Sequence, residues 1–332
     1  MMARQFDESD VRVRPPRSTR PRSKDRPVHA NAISALVTTV DRGRTTCITE
    51  EGVIVTAMRA RELGPKSVVV GDNVSIVGDS SGTAGTLARI VSVQERKNSL
   101  TRTVDDDAKV ERVIVANIDQ LVIVIATTNP EPRRGLVDRF LVSAFSEGIK
   151  PIILVTKTDI HDVPTFLDEY KNLDIHVMTT KKGASLTQLH SLLAGKISVL
   201  VGHSGVGKST LINALLPHAQ RVIGEVNEVT GRGRHTSSSA IALPLSPHLK
   251  LSDGWIIDTP GIRAFGLAHI DPNRIIASFG DLKEVIAQCM PNCSHNEKSC
   301  ALEQWSAPNG VINPQREARI QSLRSLLDIK LD

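Results

Sequence analysis

Nine residues, Gly202-His203-Ser204-Gly205-Val206-Gly207-Lys208-Ser209-Thr210, fit the pattern G-x-x-x-x-G-K-[ST]. In such a loop the glycines let backbone N–H groups turn inward onto phosphate oxygens, the lysine reaches the β- and γ-phosphates, and the hydroxyl after it can ligate magnesium. Lys208 and Ser209 are the residues expected to do this here. Upstream, Thr156-Lys157-Thr158-Asp159 differs by one residue from the base-reading form N-K-x-D. The Asp159 carboxylate can accept hydrogen bonds from guanine N1–H and its exocyclic amine, while Lys157 can lay its aliphatic stem over the ring. Adenine presents an acceptor where guanine presents N1–H, so it would leave a buried carboxylate unpaired. That costs on the order of a few kcal/mol, enough to select guanine. Thr156 stands where Asn is usual, and its hydroxyl can take over only part of what an Asn amide does in contacting the base and tying loops together.

Downstream, Trp255-Ile256-Ile257-Asp258-Thr259-Pro260-Gly261 reads as a strand ending in D-x-x-G. Asp258 is expected to hold magnesium, usually through water, and the Gly261 N–H to bond the γ-phosphate, so that loss of the phosphate frees the loop. Between the two motifs lies Thr230-Gly231-Arg232-Gly233-Arg234-His235-Thr236-Ser237, polar, basic and rich in glycine. It is the expected first switch, with the Thr236 hydroxyl as a second protein ligand of magnesium. Ile262 follows D-x-x-G where many GTPases carry a water-orienting Gln, and an aliphatic side chain cannot orient water. The nearest replacement in sequence is His235, whose imidazole can position or deprotonate the attacking water. A merely solvated loop histidine is the alternative.

Three of the four cysteines crowd together as Cys289-Met290-Pro291-Asn292-Cys293-Ser294-His295-Asn296-Glu297-Lys298-Ser299-Cys300. Cys289, Cys293, His295 and Cys300 offer three thiolates and one imidazole, the set for a closed tetrahedral structural Zn2+ site with no position left open for catalysis. Cys47 stands apart and reads as a small core residue.

These residues need elements to hold them. Apolar strands at Leu121–Ala126, Pro151–Val155, Ile175–Met178, Ile197–Val201 and Gly254–Ile257 alternate with helices near Leu136–Glu147, Val163–Asn172, Leu186–Leu193 and Lys208–Leu216. That grammar predicts an α/β domain over 110–270 on a largely parallel sheet, with its loops at the carboxyl ends of the strands. Ahead of it, five short β-runs at Ala35–Val40, Gly52–Ala57, Ser67–Val70, Asp72–Val77 and Ala88–Val93 predict a small OB-type barrel over 31–100. Residues 31–98 contain no Phe, Tyr or Trp, so RNA binding there would rest on backbone contacts and shape. Arg42, Arg44, Arg59, Arg61, Lys66, Arg89, Arg96 and Lys97 are the candidates. Residues 271–332 carry the metal cluster and a final helix opened by Asn313-Pro314, with Ile320, Leu323 and Leu327 as its packing stripe.

The formal charge of +5 is unevenly spread, since residues 1–29 hold seven Arg and one Lys against four acids. With Pro15, Pro16, Pro21 and Pro27 and few apolar residues, residues 1–30 are expected to be a disordered basic arm, either suited to a polyanion such as RNA or simply solvated. No apolar run spans a bilayer and the N-terminus lacks a signal-peptide core, so a cytoplasmic protein without membrane partners is expected.

The order of the motifs, base-reading loop before phosphate loop, is that of a circularly permuted GTPase. With the barrel in front, Val115-Ala116-Asn117-Ile118-Asp119 entering the α/β domain, Gly231–Thr236, and the Cys/His knuckle behind, the chain resembles the RsgA (YjeQ) family of small ribosomal subunit biogenesis GTPases over roughly residues 31–300. The resemblance implies GTP and GDP as ligands, Mg2+ with GTP, and a late-acting assembly factor that binds the small subunit and its rRNA. Hydrolysis would be slow alone, faster on the subunit, and followed by release. It also implies a catalytic role for the switch histidine, here His235, alongside Lys208. The metal spacing C-x3-C-x-H-x4-C is shorter than the commoner family form, which affects loop geometry and not ligand number. An ATP-using phosphotransferase and a passive nucleic-acid clamp with a decayed site remain as alternatives; Asp159 speaks against the first and intact Lys208, Ser209 and Asp258 against the second. A monomer is expected. The phosphate-sensing loop also lies about 28 residues before the metal cluster, a short covalent path through Ala264–Asn273 from phosphate to the C-terminal domain.

Overall fold

The computed structural model describes residues 29, 31–41, 43–64, 67–103, 111–173, 175–218, 240–259, 271–291 and 293–328. The expected arm, apart from His29, lies outside them, as do Arg42, Lys66, His235, Thr236 and Gly261. Residues Ala32–Asp332 gather into one compact unit.

Its first part is a closed five-stranded barrel of β1 (Ile33–Asp41), β2 (Arg44–Thr49), β3 (Ile54–Arg59), β4 (Asn73–Gly78) and β5 (Ala88–Val93). The strands run in the order β1-β2-β3-β5-β4, with β4 closing against β1 and β3 parallel to β5. This is the OB-type barrel the sequence predicts. Strand alternation points Val74, Ile76, Val55 and Cys47 inward, and burial pushes the Cys47 thiol up to about 12, as befits a core residue.

One of the five predicted strands does not form, and one strand forms where none is predicted. Ser67–Val70 is not a strand: Val68 and Val69 are buried in a loop whose Val69 N–H donates to the Asp72 carboxylate at 2.8 Å, and only Val70 makes a single bridge, to Val115. The second strand is instead Arg44-Thr45-Thr46-Cys47-Ile48-Thr49, which reads as polar. Two of its three buried threonines have hydroxyls with partners: Thr46 Oγ1 accepts from the Thr39 hydroxyl at 2.8 Å and Thr49 Oγ1 from the Val53 N–H at 3.2 Å, and β-branched residues suit a pleated surface. Arg96, a candidate RNA contact, is a brace here. It pairs with the fully buried Asp72 at 2.7 Å and donates to the Ser67 carbonyl at 2.8 Å. Lys97 pairs with Asp119, and Arg59 donates to the Gly64 carbonyl at 2.6 Å. Arg44, Arg61 and Arg89 remain exposed.

A hairpin of β6 (Ser99–Thr103) and β7 (Glu111–Ala116), which its mixed composition conceals, leads into the α/β part. There β8 (Gln120–Ala126), β9 (Lys150–Thr156), β10 (His176–Thr179), β11 (Ile197–Val201) and β13 (Trp255–Asp258) are parallel, in the order β10-β9-β8-β11-β13. The short β12 (Ile241–Pro244) adds antiparallel to β13 and meets β1 at Thr39, making one continuous eleven-stranded sheet with the barrel. Every residue of β8 is buried, since a strand covered on both faces reads as a continuous apolar run. On one face α1 (Arg134–Ser146) packs Val137, Phe140, Leu141 and Ala144. On the other, α2 (Thr187–Leu193) and α3 (Lys208–Leu215) pack Leu189, Leu193, Leu211, Ile212 and Leu215. The helix predicted over Val163–Asn172 is a 3-10 helix, Thr165–Leu173. Its buried residues Leu167 and Tyr170 are three apart and so align at three residues per turn.

The C-terminal part contains α4 (Pro272–Ala277), α5 (Lys283–Ile286), α6 (Ala301–Ser306) and α7 (Pro314–Asp328). The Asn313 side chain caps α7, accepting from the N–H of Gln315 at 3.0 Å and of Arg316 at 3.2 Å, with Pro314 in the first turn. The predicted stripe Ile320, Leu323 and Leu327 is buried with Ile275, Phe279, Leu282, Leu302 and, from α1, Val142. Between α7 and α1 lies a buried ionic knot. Arg319, 3% exposed, pairs with Asp138 at 2.7 Å and with both oxygens of Asp281 at 2.8 and 2.9 Å, while its guanidinium lies over the rings of Phe279 and Tyr170. Among the described residues, no helix is long and apolar enough to cross a membrane.

Candidate functional site

The carboxyl ends of β8, β9, β11 and β13 converge on one edge of the sheet, where loops carry ligands in folds of this kind. From β11 the chain turns through Gly202–Gly207 into α3. Gly202 has φ +143°, and a Cβ there would stand 2.2 Å from the Val124 carbonyl oxygen, so only glycine lets the loop leave β11 beside β8. Gly207 caps α3 in the left-handed region at φ +97°, turning the first N–H groups of the helix toward the loop interior. The Lys208 ammonium lies along the loop, donating to the carbonyls of Gly202 at 2.6 Å and His203 at 2.8 Å. Ser209 and Thr210 are exposed on the first turn, and Val206 is buried beneath it.

Asp258 ends β13 in register with Leu200 of β11, the strand that feeds the phosphate loop. Burial raises the pKa of its carboxyl, an effect that Lys208 opposes. Burial likewise lowers the Lys208 pKa, and Asp258 opposes that. The two charges thus support each other in a poorly solvated place, and a carboxylate whose charge is penalised by burial is a fitting neighbour for a cation. Asp258 and Ser209 are the described residues that would hold Mg2+.

At the end of β9 the base-reading loop sits beside this one. Thr156 is 7% exposed, its hydroxyl 2.7 Å from the Val206 carbonyl of the phosphate loop and 3.1 Å from the Ile125 carbonyl of β8. Lys157, at φ +59°, donates its ammonium to the carbonyls of Thr128 and Asn129 and lines the cavity. Thr158 donates to the Thr180 carbonyl at 3.3 Å, and Thr180 N–H donates to the Val155 carbonyl at 2.7 Å. Asp159 is exposed at the rim. Together these loops enclose a cavity of about 380 Å³ lined by Thr156, Lys157, Asp159, Val206, Gly207 and Thr210. The structure therefore brings Thr156, Lys157, Thr158 and Asp159 to Gly202–Thr210 and Asp258; where it puts His235, Thr236 and Gly261 lies outside the described residues.

A family description, RsgA GTPase, matches residues 93–268, more than half of the chain. The small ribosomal subunit biogenesis GTPase RsgA of Pseudomonas aeruginosa is 35% identical over 262 residues, covering 76% of this chain and 74% of that protein. This chain belongs to the RsgA GTPase family. Among solved structures, YjeQ from Thermotoga maritima superposes with a TM-score of 0.62 at 26% identity, covering 89% of this chain and 99% of that one. YloQ, described as a circularly permuted GTPase, superposes with a TM-score of 0.62 at 22% identity over 90% of this chain and 96% of its own, and shares the fold. The strand and motif order seen here is that permuted arrangement.

One wall of the cavity in this RsgA-family chain lies outside the motifs. Thr180, Lys181, Lys182, Gly183 and Ala184, between β10 and α2, face Leu211 and Ala214 of α3 across it. The available signal was a Lys-Lys-Gly turn directly after a parallel strand, at the edge where ligand loops gather.

Far from this cavity in sequence, Cys289, Cys293, His295 and Cys300 form the expected cluster, with their four donor atoms all within 4.8 Å of one another. Tetrahedral ligation with bonds of roughly 2.3 Å requires ligand separations of roughly 3.8 Å. Cys289 Sγ lies 3.6 Å from Cys300 Sγ and 3.7 Å from His295 Nδ1, and Cys300 Sγ lies 3.8 Å from His295 Nδ1. The donor set thus fits one metal ion. Arg324 of α7 fastens the loop by donating to the His295 carbonyl at 2.8 Å and to Glu303 at 2.6 Å. Native mass spectrometry should give one metal ion per chain, and Cys300→Ser should reduce that occupancy by more than half.

Proposed function

We propose that this GTPase acts in assembly of the small ribosomal subunit, binding its rRNA and leaving after hydrolysis, with hydrolysis accelerated by the subunit. The observation that carries the nucleotide part is the convergence of Thr156–Asp159, Gly202–Thr210 and Asp258 at the carboxyl ends of adjacent parallel strands. The ribosomal part is supported by the name of the P. aeruginosa relative and by the barrel fused to the GTPase sheet.

In this reading Asp159 pairs with guanine N1–H and the exocyclic amine while the Lys157 stem covers the ring. The phosphates lie in Gly202–Gly207, with Lys208 stabilising charge that develops on the γ-phosphoryl oxygens as water attacks in line. Ser209, Thr236 and Asp258 hold Mg2+, which supplies further charge neutralisation. His235 orients the attacking water, and the Gly261 N–H reports whether the γ-phosphate is present. Zn2+ is the ion assigned to Cys289, Cys293, His295 and Cys300, since three thiolates and one imidazole suit it. The protein acts as a cytoplasmic monomer, with the basic arm of residues 1–30 meeting RNA.

Phosphate release from GTP with and without small subunits tests this directly; absence of stimulation refutes the ribosomal reading. Cosedimentation with small and large subunits should be specific for the small subunit and stronger with a non-hydrolysable GTP analogue than with GDP. Asp159→Asn should lower GDP affinity about a hundredfold and raise affinity for xanthosine diphosphate, whose C2 oxygen can accept from the new amide.

A further inference from the structure

The four metal donors lie within one short stretch of sequence, Cys289–Cys300, yet a hydrogen bond that fastens the turn bearing the histidine comes from much further along the chain. His295 is buried and lies in the left-handed region at φ +64°, where a residue with a Cβ is disfavoured and needs support. In that turn its N–H lies 3.4 Å from Cys293 Sγ, and its Nδ1 lies 3.7 Å from Cys289 Sγ and 3.8 Å from Cys300 Sγ. Nδ1 is the ring nitrogen nearer the backbone, so a rotation of the backbone carries the donor with it and leaves the side chain little length with which to compensate. The His295 carbonyl accepts from Arg324 Nε at 2.8 Å, and Arg324 Nη2 donates to Glu303 at 2.6 Å. One side chain of α7 thus ties the histidine turn to α6, from 29 positions away in sequence. Glu303 balances the charge of Arg324, so what the pair gives the metal is placement.

We infer that Arg324 is a positioning residue for the metal ion: it holds the His295 turn so that Nδ1 is the fourth ligand, and it thereby sets how firmly the ion is retained. The donors are local to the cysteine segment, but the closure of the site is not, because α7 completes it. Groups that orient a metal ligand in this way account for about 10–100-fold in metal affinity. This rests on the assignment of Zn2+ to Cys289, Cys293, His295 and Cys300, and adds to it the ring nitrogen that binds and the residue that turns it.

The test measures the affinity of the full-length chain for Zn2+ by competition with a chromophoric chelator. Arg324→Met should weaken Zn2+ binding by about 10–100-fold, while Arg324→Lys, whose ammonium can still donate to the His295 carbonyl, should stay within about threefold of wild type. In a His295→Ala background, which has no imidazole to place, Arg324→Met should change the affinity by less than about threefold. Nuclear magnetic resonance of the histidine ring nitrogens in the Zn2+-loaded wild type, with His295→Ala to assign the signals, should show the metal on Nδ1 and the proton on Nε2 of His295. Wild-type affinity in Arg324→Met, no recovery in Arg324→Lys, an equal loss with and without the imidazole, or the metal on Nε2 would each overturn the inference and leave the metal assignment standing. A wild-type chain that takes up no Zn2+ removes the metal assignment itself, and the role of Arg324 with it.

Discussion

Lys208→Ala is expected to reduce GTP turnover by a factor of about 10²–10³ at saturating nucleotide, the range for removing one group aimed at charge that develops in the transition state. The ammonium lies in the phosphate loop, within hydrogen-bonding distance of the Gly202 and His203 carbonyls. Its cost in solvation is already visible, because burial lowers its pKa and only Asp258 opposes the shift. A cation held in such a place acts at reduced dielectric, which strengthens its pull on phosphate oxygens. The variant also leaves the half-buried Asp258 without the cation that offsets its own desolvation, so that carboxyl should titrate at higher pH than in the wild type. The fold should survive, since α3 starts from a backbone bond, Leu211 N–H to the Gly207 carbonyl at 2.9 Å, and has no side-chain cap to lose. Single-turnover phosphate release, with a circular dichroism control, measures the effect. Turnover within threefold of wild type would remove Lys208 from the mechanism. Lys208→Arg should not rescue, because a planar fork cannot replace a compact ammonium in this loop.

The second large effect concerns stability. Arg319→Met is expected to destabilise the protein by about 3–5 kcal/mol, the usual result when one member of a buried ionic group is removed and its partners stay charged. Burial alone would lower the Arg319 pKa, yet hydrogen bonds and proximity to Asp281 and Asp138 hold it above its ordinary value. Tyr170 donates to Asp138 at 2.8 Å and its phenol is pushed up, first by burial and then by that carboxylate. Without the guanidinium, Asp138 keeps the tyrosine as its partner on Oδ1, while its Oδ2 already lacks one among the described residues. Arg319→Lys should recover part of the loss, since it retains charge without the bidentate fork to Asp281. Urea denaturation measures both, and a change below 1 kcal/mol for Arg319→Met would show that the knot contributes nothing net.

This knot also joins the C-terminal part to the GTPase domain without using the connecting chain. The sequence points to a covalent route from Asp258–Gly261 to the metal cluster through Ala264–Asn273, most of which lies outside the described residues. The described structure has a non-covalent route. Arg319 joins α7, whose Arg324 holds the metal loop, to α1 and to the 3-10 helix Thr165–Leu173. That 3-10 helix follows the base-reading loop closely in the chain, and α1 follows Thr128 and Asn129, whose carbonyls hold Lys157. The C-terminal part is therefore bolted to the base-reading side of the GTPase domain.

By itself the sequence determined the kind of chemistry and the kind of fold. Gly202–Thr210, Lys157, Asp159 and Asp258 are legible because phosphate and base recognition restrict residue type at short spacing, and the cysteine cluster because metal ligation does the same. Strands such as β8 are legible because both their faces are buried and their apolar runs show it. Tertiary structure decided what depends on partners distant in the chain. Thr46 of β2 reads as polar until the cross-strand Thr39 hydroxyl satisfies it, and Arg96 reads as a free cation until Asp72 is found beside it. The Lys181–Ala184 wall has no motif, since a cavity wall needs only to be near. Thr156 is the sharpest case: its residue type says that a hydroxyl replaces an amide, but only the 2.7 Å approach of the Val206 carbonyl, fifty positions away, says what the hydroxyl is holding. A hydrogen bond of that kind is a property of two loops brought together at one edge of the sheet, across the intervening β8, and no local pattern encodes it.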